Sequence, residues 1–253
     1  MRVFITGASS GIGAALAAHY AARGARLGLV ARRAETLAEV GRKLPGSPAC
    51  YLADVADARA MQDAARDFMA RFGVPDIVIA NAGVSVGTLT EHAEDIAVFG
   101  RVLQTNVVGL AATFHPFVAP MRAAGRGRLA GIASVAGVRG IPGAGAYSAS
   151  KAAAIAYLEA LRVELRPSGV RVVTVCPGYV ATPMTAVNRY RMPFILPADV
   201  AARRIARVID AGRAYAVVPW QMALVARTMR LLPNAVYDRL FRRAGRKPRG
   251  LKL

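Results

Sequence analysis

The 253-residue chain carries 34 Lys and Arg against 15 Asp and Glu, a net charge of +19, and its mean hydropathy is +0.34. That length holds one large α/β domain or two small ones, with a core that needs no disulfide. The basic excess is spread along the chain rather than gathered in a stripe, which argues against a dedicated nucleic-acid groove.

The first element is "RVFIT", a strand, followed by "GIGAALAAHYAARG", a helix closed by Gly24. "RLGLVAR" reads as a second strand and "AETLAEVGRKL" as a helix stopped by Pro45. "ACYLAD" is a third strand, with the helix "DARAMQDAARDFMARFG" after it, and "DIVIAN" is a fourth. One long helix is expected from Asp95 to Ala124. "GRLAGIAS" is the fifth strand, "YSASKAAAIAYLEALRVELRPSG" a long helix, and "VRVVTVCPG" the sixth strand. A helix from Pro197 to Ala211 precedes a seventh strand, "AYAVVP". Strands alternating with helices imply a parallel sheet, and right-handed crossovers leave a doubly wound, Rossmann-type sheet of seven strands with helices on both faces.

No linker divides the chain, so residues 1–253 are expected to form one domain. The start shows no basic leader with a cleavage site, and no run of about 18 apolar residues free of charge and strong polarity suggests a membrane span. Cys50 and Cys176 match no metal spacing; both read as small buried residues of a reduced, cytoplasmic protein, and no metal is expected.

In "ITGASSGIG", Gly7, Gly11 and Gly13 lie between the first strand and the first helix. Glycine permits a tight turn there and lets backbone N–H groups approach an anion, and the helix adds a partial positive end. Ser134 closes the fifth strand, at the carboxyl edge where open α/β sheets bind ligands. Tyr147 and Lys151 stand four apart on a helix and share a face. An ammonium beside a phenol lowers the phenol's pKa from about 10, turning it into a usable acid or base. At the end of the second strand, where a carboxylate would hold the ribose 2′-OH of NAD, the chain has Ala31, Arg32 and Arg33. Either the two arginines bind a 2′-phosphate, with Ser9 adding a hydroxyl, or they are the exposed first turn of the second helix.

"TGASSGIG", "NAG" at 81–83, Ser134, "YSASK" at 147–151 and "PG" at 177–178 fall in an order that resembles the short-chain dehydrogenase/reductase family, over residues 2–220. The resemblance implies an oxidoreductase moving a hydride between NADP(H), with NAD(H) also possible, and a carbonyl/alcohol pair. It implies that Ser134 orients the substrate oxygen, Tyr147 transfers the proton, Lys151 tunes the tyrosine and grips the ribose, and Asn106 holds a relay water. It implies cofactor contacts from Gly7, Ser9, Ser10, Gly11, Ile12 and Gly13 in the turn, and from Asp54 and Val55 at the adenine. Asn81, Ala82 and Gly83 would line the adenosine side, and Pro177, Gly178, Val180 and Thr182 would flank the nicotinamide. A dinucleotide sensor without turnover is the alternative on the same fold.

The resemblance implies that residues 179–197 cover the substrate. Met184, Met192, Phe194 and Ile195 suggest either an apolar substrate body or a lid packed on its own domain; Arg189 and Arg191 face an anion or solvent. The basic extension 219–253 can cap the site, join an interface or lie on an anionic membrane, the last not favoured. Its end, "GRKPRGLKL", is expected to be mobile. Long Ala-rich helices near 97–124 and 145–166 suggest a homodimer or homotetramer.

Overall fold

In the computed structural model, which describes residues 1–250, β1 (Arg2–Thr6) points Val3 and Ile5 to one face and Phe4 to the other, all fully buried. Burial on both faces is what a central parallel strand requires. β1 lies between β2 (Arg26–Ala31) and β4 (Ile77–Ala80). With β3 (Ala49–Leu52), β5 (Gly127–Ile132), β6 (Val170–Pro177) and β9 (Tyr215–Val218), the parallel order is β3-β2-β1-β4-β5-β6-β9. The expected doubly wound seven-stranded sheet is present, and its order reverses between β1 and β4, the point at which such sheets open a crevice.

One face carries α1 (Gly11–Ala21), α2 (Ala34–Lys43) and α8 (Ala198–Asp210), which enclose Ile5, Leu16, Leu29 and Ile205. The other carries α3 (Ala58–Phe72), α5 (Gly109–Ala123) and α6 (Gly145–Glu164). Here Phe4 meets Phe68 edge-on at 5.4 Å and Phe117 at 4.9 Å between ring centroids. Full burial of each ring contributes roughly 1.5–3 kcal/mol.

Several expectations are corrected. The helix expected over 95–124 is interrupted: α4 (Glu94–Leu103) passes into a π turn, Gln104–Val108, before α5 begins. By length and composition alone this run is long and apolar enough to span a membrane, with an 18-residue window of mean hydropathy 1.3, a third of it buried within the fold; the core helix of a globular protein meets the same measure. Cys176 is buried as expected, but Cys50 is exposed, because β3 is an edge strand with β2 as its one neighbour. The 179–197 segment has structure of its own. β7 (Val180–Ala181) pairs with β8 (Leu196–Pro197), with the one-turn helix α7 (Pro183–Ala186) between them.

The extension forms α9 (Trp220–Leu231) and α10 (Asn234–Phe241), and the chain then runs back over the body. The tail is therefore docked through Arg249, against the expectation of mobility. The Gly87 N–H donates to the Pro248 carbonyl at 2.9 Å, and the Arg249 Nε reaches Asp95 at 2.7 Å. Residues 251–253 of the expected mobile end lie outside the described residues.

Candidate active site

Thr6, fully buried at the end of β1, organises the turn that follows. Its hydroxyl accepts from the N–H groups of Asn81 and Ala82, each at 3.2 Å. The Asn81 amide in turn donates to the carbonyls of Thr6 and Gly7 at 3.0 and 3.3 Å. The ends of β1 and β4 are thus stitched together at the point where the sheet order reverses.

The glycine turn packs so closely that side chains would not fit. Gly7 has φ +67°, and a Cβ there would stand 2.8 Å from the Ala82 backbone. A Cβ on Gly13 would stand 2.2 Å from the Gly7 carbonyl oxygen, so α1 can enter the crevice only with glycine at that place. Ser10 begins α1 without capping it by its side chain, and the first turn holds no acidic residue. The amino end of α1 is left for an anion.

A cleft of about 300 Å³ runs over this turn and brings the expected cofactor residues together. Gly7, Ser9, Ser10, Gly11, Ile12, Arg32, Arg33, Asp54, Val55, Asn81, Ala82 and Gly83 line one part; Ser134, Tyr147, Lys151, Pro177, Gly178, Val180 and Thr182 line the rest. Gly13 and Asn106 do not line it; Gly13 lies beneath the turn and Asn106 behind Gly83. The Arg33 guanidinium donates to the Ser9 and Ser10 hydroxyls at 3.2 and 3.0 Å, and Arg32 reaches Asp54 at 3.4 Å. Both arginines are exposed.

The side chains expected to carry the chemistry come from two elements held in close approach. After β5, Ser134 opens a short turn, Val135–Gly137, and its hydroxyl accepts from the Ala136 N–H at 3.1 Å. A Cβ on Gly137 would come within 2.6 Å of the Lys151 backbone, so this glycine lets α6 lie against the turn. Tyr147 and Lys151 project from α6. The Lys151 ammonium is buried, donates to the Ile132 carbonyl at 2.8 Å and lies 5.8 Å from the Tyr147 ring centroid. Burial pulls this ammonium down to about 8. Burial also pushes the Tyr147 phenol up, with Ser134 opposing the rise. In the protein alone, desolvation dominates, and the lowering of the phenol expected from Lys151 is not seen.

Asn106 sits in the π turn, and its side chain is committed elsewhere. Its amide oxygen accepts from the Val84 N–H at 2.8 Å, and its nitrogen donates to the Val84 carbonyl and the Ser150 hydroxyl, both at 2.9 Å. Ser150 donates to the Tyr147 carbonyl at 2.7 Å, so Asn106 fixes the helical turn that carries the tyrosine. With both amide protons used, its side chain has none to give a relay water.

A second cavity, of about 420 Å³, shares Ser134, Tyr147, Pro177, Gly178, Met184 and Thr185 with the cleft. Its further walls come from the covering segment, through Tyr190 and Arg191, and from α9, α10 and the tail, through Met222, Met229, Phe241 and Lys247. The extension thus caps the site. Thr6, Thr105 and Lys247 were not singled out in the sequence. A polar residue closing an apolar strand was the one signal available for Thr6.

A reversed-order parallel sheet, a glycine turn at its switch point and a Ser, Tyr and Lys at its carboxyl edge define an oxidoreductase acting on alcohol or carbonyl groups. Residues 1–192 match the family described as short chain dehydrogenase. The chain is 38% identical over 242 residues to an oxidoreductase of Myxococcus xanthus, covering 94% of this chain and 95% of that one. It is 34% identical to the 11-beta-hydroxysteroid dehydrogenase-like 2 protein of Arabidopsis thaliana, over 86% and 73% of the two chains. Among solved structures, a short-chain dehydrogenase from Streptomyces avermitilis superposes with a TM-score of 0.79 at 26% identity, over 94% of each chain. Levodione reductase superposes with 0.78 at 27%, over 88% and 97%. The chain belongs to the short-chain dehydrogenase family.

Proposed function

We propose that the protein reduces a carbonyl compound with an apolar body, or oxidises the corresponding alcohol, using NADP(H) in preference to NAD(H). The observation that carries this reading is the placing of Tyr147 and Ser134 at the junction of the two cavities, with Lys151 behind them. A nicotinamide dinucleotide, when bound, supplies or takes up the hydride. The residues present fit such a group: glycines that leave no room for a side chain, an uncapped helix end, and a polar cluster at the far end of the cleft.

In this reading Ser134 donates a hydrogen bond to the substrate oxygen and stabilises the charge that develops on it. Tyr147 gives its phenolic proton to that oxygen in reduction and recovers it in oxidation. Lys151 draws the phenol toward ionisation and holds the ribose hydroxyls. Asn106 keeps the Tyr147 turn of α6 in register through Ser150, and the role of its side chain is positioning rather than relay.

The preference for NADP(H) rests on Arg32 and Arg33, with Ala31 where a carboxylate would repel a 2′-phosphate. Arg33 already gathers Ser9 and Ser10 into one donor cluster. We further propose that the protein is cytoplasmic and forms a homo-oligomer, the latter supported by apolar side chains exposed along α4, its π turn and α6: Ile96, Phe99, Val108 and Val163.

The test is a panel of ketones and aldehydes assayed by NADPH consumption with wild-type protein and Tyr147→Phe. Turnover that falls by about a hundredfold or more, with NADPH binding retained, is the expected result for loss of a general acid. Undiminished turnover in Tyr147→Phe would remove the proton-transfer role.

A further inference from the structure

The substrate cavity is walled largely by carbon: Val135, Ile141, Met222, Val225, Met229 and Phe241. The charged residues that line it are Arg191 and Lys247, and among the described residues no carboxylate lines it. Arg191 is exposed, whereas Lys247 is 8% exposed. The Lys247 ammonium donates to the Met184 carbonyl at 2.9 Å, and Met184 borders both the cavity and the cofactor cleft. One neutral acceptor leaves two of the three ammonium protons for another partner. A buried cation of this kind is costly unless an anion meets it.

Lys247 is held in place from both sides. On one side Gly245 packs so tightly on Tyr190 that a Cβ would stand 2.4 Å from the tyrosine's own Cβ. On the other, Pro248 accepts from Gly87, and Arg249 forms a two-pronged contact, Nε to Asp95 at 2.7 Å and Nη2 to Glu94 at 2.9 Å. Asp95 is itself buried and accepts from the Leu89 N–H at 2.7 Å. The tail is thus a strap fastened to α4 and to the covering segment, and it carries one lysine across the cavity. Covering the cavity needs no charge there; methionine would fill the same space without the desolvation cost.

We infer that the substrate is a keto or hydroxy compound whose apolar body bears a carboxylate-class anion, and that Lys247 is the residue that recognises it. This rests on the carbonyl/alcohol reading of the same site and narrows it to acidic substrates. Arg249 is a positioning residue, acting through the strap.

The experiment measures binding, which does not require turnover. Octanoate and octanamide, matched in length and differing in charge, are titrated calorimetrically into the full chain with NADP⁺ at pH 7. The wild-type protein is expected to bind octanoate at least about tenfold more tightly, a modest preference for one buried charge-assisted contact. Lys247→Met should abolish the preference and Lys247→Arg should keep part of it, with circular dichroism melts confirming that each variant is folded. Arg249→Ala should weaken the preference by loosening the strap. Equal affinities in the wild type, or a preference that survives in Lys247→Met, would overturn the assignment. Octanoate preference without NADPH consumption on any carbonyl would instead defeat the proposed reaction and leave the anion site standing.

Discussion

Lys151 donates to the Ile132 carbonyl at 2.8 Å while its ammonium stands 5.8 Å from the centre of the Tyr147 ring. The lysine's hydrogen bond goes to the strand backbone rather than to the phenol. The ammonium's position is fixed by the backbone of β5. Both groups are pulled toward their neutral forms by burial, the ammonium to about 8 and the phenol upward from its ordinary value. A substrate or cofactor that fills the two cavities changes this balance, because it brings charges next to both groups.

A pH dependence follows. With its pKa raised, Tyr147 keeps its proton throughout the neutral range, so carbonyl reduction should hold steady from pH 6 to 7, below the range in which Lys151 loses its charge. Alcohol oxidation needs the phenolate, so its rate should climb as pH rises above neutrality. Lys151→Met removes the charge that favours the phenolate and should move that climb to higher pH. Rate profiles for the two directions, each with saturating cofactor, check this. A reduction rate that falls between pH 6 and 7 would contradict a neutral phenol.

Cofactor selectivity gives a second prediction. Replacing Arg32 and Arg33 together by Gln removes two guanidiniums from the end of β2 and frees Ser9 and Ser10. Charge-assisted hydrogen bonds are worth about 1.5–3 kcal/mol, so the Kd for NADPH should rise roughly ten- to a hundredfold. NADH, which lacks the 2′-phosphate, should lose little. Fluorescence titration of both cofactors decides the matter, and losses of equal size would refute the phosphate contact.

The elements that carry short local motifs were legible in the sequence. β1, its glycine turn and α1 follow from one apolar run, three glycines and an Ala-rich stretch, and the structure places them within three residues. Tyr147 and Lys151 could be put on one helix face by counting. The π turn around Asn106 could not, because the apolar pattern on either side of Gln104–Val108 continues at helical spacing and one widened turn leaves no mark in it. The docked tail was equally hidden. Its hold depends on Arg249 finding Glu94 and Asp95, partners 155 and 154 residues away, and a basic segment viewed alone resembles a solvated end. Gly137 gave no sequence signal for its part in the site, since its task is to leave space for a helix that arrives from elsewhere.

Gly13 tests how tightly the cofactor turn is built. In Gly13→Ala the new Cβ would meet the Gly7 carbonyl oxygen at 2.2 Å and the Asn81 amide nitrogen at 2.5 Å, both parts of the stitched turn. Overpacking of this kind costs about 1–3 kcal/mol. A melting temperature lower by roughly 2–12 °C is expected for a chain of this size, along with weaker NADPH binding. Gly24→Ala is the control for space: a Cβ there meets nothing within 4 Å, and with φ +72° the substitution strains the backbone alone. It should lower the melting temperature without touching cofactor affinity. Calorimetric melts and cofactor titrations on both variants check this, and an unchanged Gly13→Ala would show that the turn is looser than its geometry.

The amino edge of the sheet, opposite the site, supplies a stability prediction that leaves catalysis aside. Asp76 accepts from the Arg2 backbone N–H at 2.8 Å, from Arg2 Nη2 at 2.9 Å and Nε at 3.2 Å, and from Arg126. Burial alone would push this carboxyl up, but the Arg2 and Arg126 hydrogen bonds overcome it and hold Asp76 far below the usual carboxylate range. A folded-state pKa below the unfolded value of about 3.9 stabilises the native protein fully above that value and progressively less as pH falls beneath it. Asp76→Asn should therefore cost about 1–3 kcal/mol at pH 7, where the wild type has its charged hydrogen bonds. The gap between the two proteins should narrow as the buffer is taken from pH 5 toward pH 2. Denaturant titrations at several pH values measure it, with NADPH consumption at pH 7 as the control. A gap that stays constant into acid would show that Asp76 contributes through shape rather than charge.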